Sequence, residues 1–182
     1  MNRPRPLLVT RRCFFAAAGL SVAAPAGDAG EQAVDRANLP KALLLGDGDS
    51  KTYLLVFHTG QEVMKGLLAF ARKQGSAAGH LTGIGAVTNT VIGYFDPQTK
   101  TYERNHEDGQ AEVLSLTGNL ARFGSEPFFH VHVALGLRDG AARGGHLFEA
   151  IARPTVEVVL TTYPKPVRRK TDPETGLPLL DP

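Results

Sequence analysis

The segment Phe128-Phe129-His130-Val131-His132-Val133 is followed, fourteen residues after His132, by Gly144-Gly145-His146-Leu147. In an extended strand successive side chains alternate faces, so His130 and His132 share one face while Phe129, Val131 and Val133 take the other. The apolar set claims the core, which leaves two imidazoles displayed outward about 7 Å apart. A hairpin turning near Arg138, Asp139 and Gly140 returns the next strand beside them and makes His146 the third imidazole. Three neutral imidazoles with an open fourth position form a catalytic-type zinc site, and the same donors suit Cu, Ni or Fe. The same three residues also fit a solvated pair with a neighbour, or histidines that hydrogen-bond across a subunit interface.

Glu112, in Glu112-Val113-Leu114-Ser115-Leu116, is the candidate catalytic carboxylate. Alternation puts it on the face of Leu114 and Leu116, either at the rim of the sheet or buried with a partner. Beside a metal it could act as general base or orient an imidazole; otherwise it is a salt-bridge or edge-strand charge. Glu157 invites the same pair of readings, and Arg122 and Arg143 are candidate anion clamps or solvated cations. His58, His80 and His106 stand alone and carry no coordination pattern. Gly79, Gly83 and Gly85 lack the spacing and the following Lys of a phosphate-binding loop, and there is no Gly-x-Ser-x-Gly elbow.

The elements that must position these residues follow from pattern. Tyr53 to Phe57 is a continuous apolar run of buried-strand length. Thr59 and Glu62 form a Thr-x-x-Glu capping box, Val63, Leu67, Phe70 and Ala71 recur at helical spacing, and Gly75 suits a left-handed stop. Ala77 to Ile84 and Thr90 to Phe95 read as two strands with a glycine-bearing connection, and Asp96 to Thr99 as a turn. Ala111 to Leu120, Phe128 to Leu137 and Thr155 to Thr162 are rich in β-branched or aromatic residues. Many strands and one main helix, joined by short turns, predict an α+β fold: a single compact domain with a largely antiparallel β-sheet.

The N-terminus reads as an address. Arg3, Arg5, Arg11 and Arg12 precede a mildly apolar run from Phe14 to Val22 and a small-residue end at Ala24-Pro25-Ala26, the order of a secretory signal peptide over residues 1–26. Thr10-Arg11-Arg12-Cys13-Phe14-Phe15 resembles the twin-arginine export motif. The expected destination is periplasmic or secreted; the alternative is a frayed basic terminus on a cytoplasmic protein. Residues 27–38 read as a linker, 39–163 as the folded domain and 164–182, with five prolines, as an extended, flexible and poorly packed tail.

Four of the 20 Lys and Arg but none of the 18 Asp and Glu precede Gly27, so cleavage there leaves 16 basic against 18 acidic residues, a formal net charge of −2. That balance argues against nucleic acid as a partner of the mature chain. Cys13 is the sole cysteine, so beyond the leader any metal must be held by His, Asp or Glu. With 42% hydrophobic and 21% charged residues the chain is neither wholly disordered nor large enough for two comfortable domains.

Glu112 to Leu120, His130-Val131-His132-Val133, Gly144-Gly145-His146-Leu147 and Thr155 to Leu160 together resemble the PPC domain, "plants and prokaryotes conserved", also called domain of unknown function 296. Gly83-Ile84-Gly85-Ala86 and Tyr94-Phe95-Asp96 fit its earlier strands, so the resemblance spans about residues 54–163. It implies a compact α+β unit assembling as a homotrimer. It also implies that His130, His132 and His146 cluster near a subunit interface, where some prokaryotic members hold a metal; the expectation for this chain is a divalent ion, zinc first. It supplies no reaction, so enzyme status stays open. The expectation is an exported, metal-binding trimer that takes a small-molecule ligand or performs metal-assisted chemistry. The alternatives are a DNA-binding or DNA-associated regulator and a purely structural oligomer. Plant members grip DNA through a separate Arg-Gly-Arg-Pro hook. Arg3-Pro4-Arg5-Pro6 departs from it and lies in the leader.

Overall fold

A computed structural model describes residues 35–182; the 1–26 leader and most of the 27–38 linker lie outside the described residues. The chain runs β1 (Lys41–Asp47), β2 (Lys51–His58), α1 (Val63–Gln74), β3 (Gly79–Asp96), β4 (Thr101–Glu107), β5 (Ala111–Phe123), β6 (Glu126–Gly136), β7 (Ala142–Thr162), β8 (Arg168–Thr171) and β9 (Pro178–Asp181). Every pairing is antiparallel except the short β5–β8 contact, which is parallel and makes the sheet mixed. One compact domain results, mostly strand with a single helix among the described residues.

β1 pairs with β2, β2 with β7, β7 with β3 and β3 with β5. Because β6 pairs with both β5 and β7, the strands β7, β3, β5 and β6 close on themselves. The inward side chains of this ring, among them Leu81, Leu116, Leu120, Val131, Leu135, Leu147, Val158 and Leu160, form the core with the buried face of the helix. That face is Val63, Leu67, Phe70 and Ala71, the helical repeat read from the sequence.

The helix begins differently from the expected capping box. Glu62 itself is the N-cap, its carboxylate accepting from the backbone N–H groups of Met64 and Lys65 and, across the fold, of Ala150. Three donors suffice to bury the group at 6% exposure, whereas Thr59 donates to the carbonyl of Pro154 instead. Gly75 ends the helix at φ 64°, the left-handed geometry expected of it.

Two further differences concern strands. The expected pair Ala77 to Ile84 and Thr90 to Phe95 is one 18-residue strand, β3. Gly85 at φ 140° and Asn89 at φ 48° mark irregularities within it, where the register shifts against β5 and β7, rather than a loop. The expected loose tail carries the β8–β9 hairpin, and its Arg169 is buried. Pro-rich composition concealed this because the tail is held by neighbours remote in sequence: Arg122 donates its backbone N–H to Val167, and Arg169 bonds Asn119.

Candidate metal centre

β6 alternates as its sequence dictates. Phe129, Val131 and Val133 are buried, while His130 is half-buried and His132 exposed on the opposite face. The chain then turns through Leu137 to Ala141, with Gly140 at φ 83° and its N–H bonded to the carbonyl of Leu137. β7 returns so that His146 is the register partner of His132. Directly paired residues share a face, so the turn converts a fourteen-residue separation into a cross-strand contact.

The three imidazoles converge. Nε2 of His130 lies 3.1 Å from Nε2 of His132, and one ring nitrogen from each of the three residues falls within 4.8 Å of the others. Ring centroids are 5.0 Å apart for His130–His132, 5.1 Å for His130–His146 and 5.7 Å for His132–His146. Two nitrogens on one tetrahedral zinc stand about 3.3 Å apart, given bonds of about 2.0–2.1 Å. Nδ1 of His146 is buried without a hydrogen-bond partner. An orphaned ring nitrogen in a cluster of imidazole donors fits a metal ion.

Burial holds two of the three imidazoles below their ordinary pKa. Burial lowers the pKa of His146 to about 4, assisted by His130, His132, Arg104 and Arg169 in that order. His130 is lowered in the same sense, first by burial and then by Arg169 and His132. No carboxylate contributes to either shift.

Aromatic rings wall one side. Phe148, two residues beyond His146, packs edge-on against it at 4.8 Å, and Tyr102 of β4 lies 5.0 Å from it. Gly93 of β3 is the register partner of both His146 and Arg104, and a Cβ there would meet Phe148 Cε2 at 2.4 Å and Tyr102 Cδ1 at 2.9 Å. The missing side chain is therefore the space the two rings occupy. On the other side, Asn119 pairs with His130 across β5 and β6 and accepts from the Arg169 guanidinium, which lies 5.0 Å from the Phe128 ring.

Glu112 does not join the triad. It pairs with Gly136, four residues along β6 from His132, which is about 13 Å of strand. It is exposed and lines an open cleft of about 270 Å³ with Gln110, Gly136, Leu137 and Arg138. A bulge between Val113 and Ser115 breaks the expected alternation, so Leu114 is exposed with Glu112 while Leu116 is buried. Glu157 is exposed opposite Val56 and Ile84. Arg122 bonds the carbonyl of Ser125, and Arg143 pairs with Glu107 at 3.0 Å. His80 bonds the Tyr163 hydroxyl at 2.6 Å, and neither it nor His58 or His106 belongs to a metal-competent group among the described residues. Asn119, Arg104, Tyr102 and Phe148 were not singled out from the sequence, since only the register of β3, β4 and β5 brings them to the histidines.

The whole arrangement has relatives. A plant- and prokaryote-conserved protein from Pyrococcus horikoshii is 33% identical, with 78% of this chain and 95% of that one covered at a TM-score of 0.68. The metal-containing protein from Archaeoglobus fulgidus is 34% identical over 79% of this chain and 99% of its own, also at 0.68. A protein from Bacteroides thetaiotaomicron, provisionally described as DNA-binding, is 30% identical over 77% and 96% at 0.72. No curated protein matches the chain. The model of the Plants and Prokaryotes Conserved (PCC) domain matches residues 46–164, which include all three histidines and every strand that forms the closed ring, and the chain belongs to that family.

Proposed function

We propose that this is a metal-binding PCC-domain protein in which His130, His132 and His146 hold one divalent ion, zinc foremost, and leave it a position for a small ligand. The observation that carries the reading is the convergence of three ring nitrogens from two paired strands within 4.8 Å. The likeness to the metal-containing A. fulgidus protein supports it. A bound ion would supply Lewis acidity; the chain's own part is to bury His130 and His146, which lowers their pKa, and to orient the rings between the aromatic wall and Asn119. Glu112, about 13 Å along the sheet from His132, stands too far away to act as base, which favours ligand binding over hydrolysis.

Assembly as a homotrimer fits the outer face of the sheet, where Ile84 is 61% and Leu114 57% exposed and Val159 lies on the same side. These exposed apolar side chains, interleaved with Glu157, offer a surface for a protein contact. The Thr10 to Phe15 twin-arginine-like run supports export to the periplasm or beyond. Binding to DNA, the second reading, is favoured by the description of the B. thetaiotaomicron relative. It predicts an affinity for duplex DNA that falls steeply with salt.

Elemental analysis of the chain purified without chelator tests the first reading against His130→Ala and His132→Ala. Near-stoichiometric metal in the wild type, lost in both variants, is expected. A wild type free of metal leaves the histidines as an assembly contact.

A further inference from the structure

The triad is flanked by two cations, neither of which forms an ion pair among the described residues. Arg169 is 93% buried (7% exposed). Its Nη1 donates to the carbonyl of Pro178 at 2.6 Å and its Nη2 to the side-chain oxygen of Asn119, while its Nε is buried with no partner. Both acceptors are neutral, so the guanidinium charge is not paired within the described residues. Buried arginines normally meet a carboxylate or phosphate, and an unsatisfied buried donor marks a group whose partner is missing. Asn119 is the cross-strand partner of His130, which puts Arg169 at the edge of the triad.

Arg104 stands on the opposite flank. It is exposed, its guanidinium carbon lies 4.0 Å from the centre of the Phe148 ring, and Phe148 in turn packs on His146. It makes no ion pair among the described residues. Stacking on an aromatic face leaves the N–H fork of an arginine free for an oxoanion.

We propose that Arg104 and Arg169 make the three-histidine site a receptor for a small oxoanion, a carboxylate or phosphate that meets the bound ion and balances the two guanidinium charges. The inference rests on the metal reading above and names its ligand class. It also gives the C-terminal hairpin a role, since Arg169 lies beyond residue 164, where the family match ends.

The test uses the full chain loaded with Co(II), whose visible absorption reports a change of ligand at the ion. Metal content is measured first; the loaded protein is then titrated separately with inorganic phosphate and with succinate. A saturable spectral change with at least one of them is expected, and which one answers distinguishes phosphoryl from carboxylate ligands. Arg104→Gln, an exposed change, and Arg169→Gln should each keep the metal and bind the anion about tenfold more weakly, the loss of one charge-assisted hydrogen bond. A loaded wild type that responds to neither anion overturns the proposal, as does undiminished anion binding in Arg104→Gln. Failure of the wild type to take up metal is read before any anion is added and sinks the metal reading itself.

Discussion

His132 and His146 are direct register partners across β6 and β7, and the turn at Gly140 is the device that brings them together. Two strands and one tight turn thus carry all three candidate ligands. The consequences can be measured one by one.

Gly93→Ala should loosen the aromatic wall. Its new methyl would lie 2.4 Å from Phe148 and 2.9 Å from Tyr102, and overpacking of this kind costs about 1–3 kcal/mol. Urea unfolding should show that loss, and metal affinity should fall with it because Phe148 and Tyr102 both pack on His146. Unchanged stability would mean that the rings move aside freely.

Glu62→Ala should destabilise the fold while leaving metal binding intact. It removes the acceptor for Met64, Lys65 and Ala150 together. A lost helix cap alone costs about 0.5–2 kcal/mol, and the buried N–H of Ala150 adds to it. Chemical denaturation checks the first expectation and metal content the second.

Acid should weaken the metal-free protein through His146. Its folded pKa of about 4 lies below the ordinary 6.5, so between those values the unfolded chain binds the proton that the folded chain refuses. This contribution to stability is complete above pH 6.5 and is lost progressively as pH falls towards about 4. His130 is shifted in the same direction. Denaturant midpoints of chelator-treated wild type and His146→Gln, compared across that window, isolate the effect; the variant should have the shallower acid loss.

Ile84→Lys should dissociate the proposed trimer. The residue is 61% exposed on the outer face of the sheet, so a lysine there is harmless to a monomer but costly when another subunit covers it. Light scattering on a sizing column should give a trimer for the wild type and a smaller species for the variant. A wild-type monomer would contradict the assembly.

Period-2 patterning made the central features legible: outward His130 and His132, the return at Gly140 and the buried helix face are all local consequences of residue type and spacing. What escaped was set by long-range pairing. Gly85 falls in the expected connection, but its lack of a Cβ admits the backbone of β7, whose Thr155 carbonyl oxygen a Cβ there would meet at 2.3 Å, so a strand runs through it. Glu112 changed company because one bulge on β5 shifts the facing of everything beyond it. Arg169 lay in a segment whose prolines suggest looseness, and its partner Asn119 is fifty residues away. Thr59 lost the cap to Glu62 because a carboxylate reaching three donors outweighs a hydroxyl reaching one.

The most direct test of the account is zinc affinity, measured by competition with a chromogenic chelator for the wild type and for His130→Ala, His132→Ala and His146→Ala. One site per chain is predicted, weakened at least about a hundredfold by each substitution, since removing a ligand should exceed the 10–100-fold typical of losing an outer partner. Zinc bound equally well by His146→Ala would contradict the three-histidine centre.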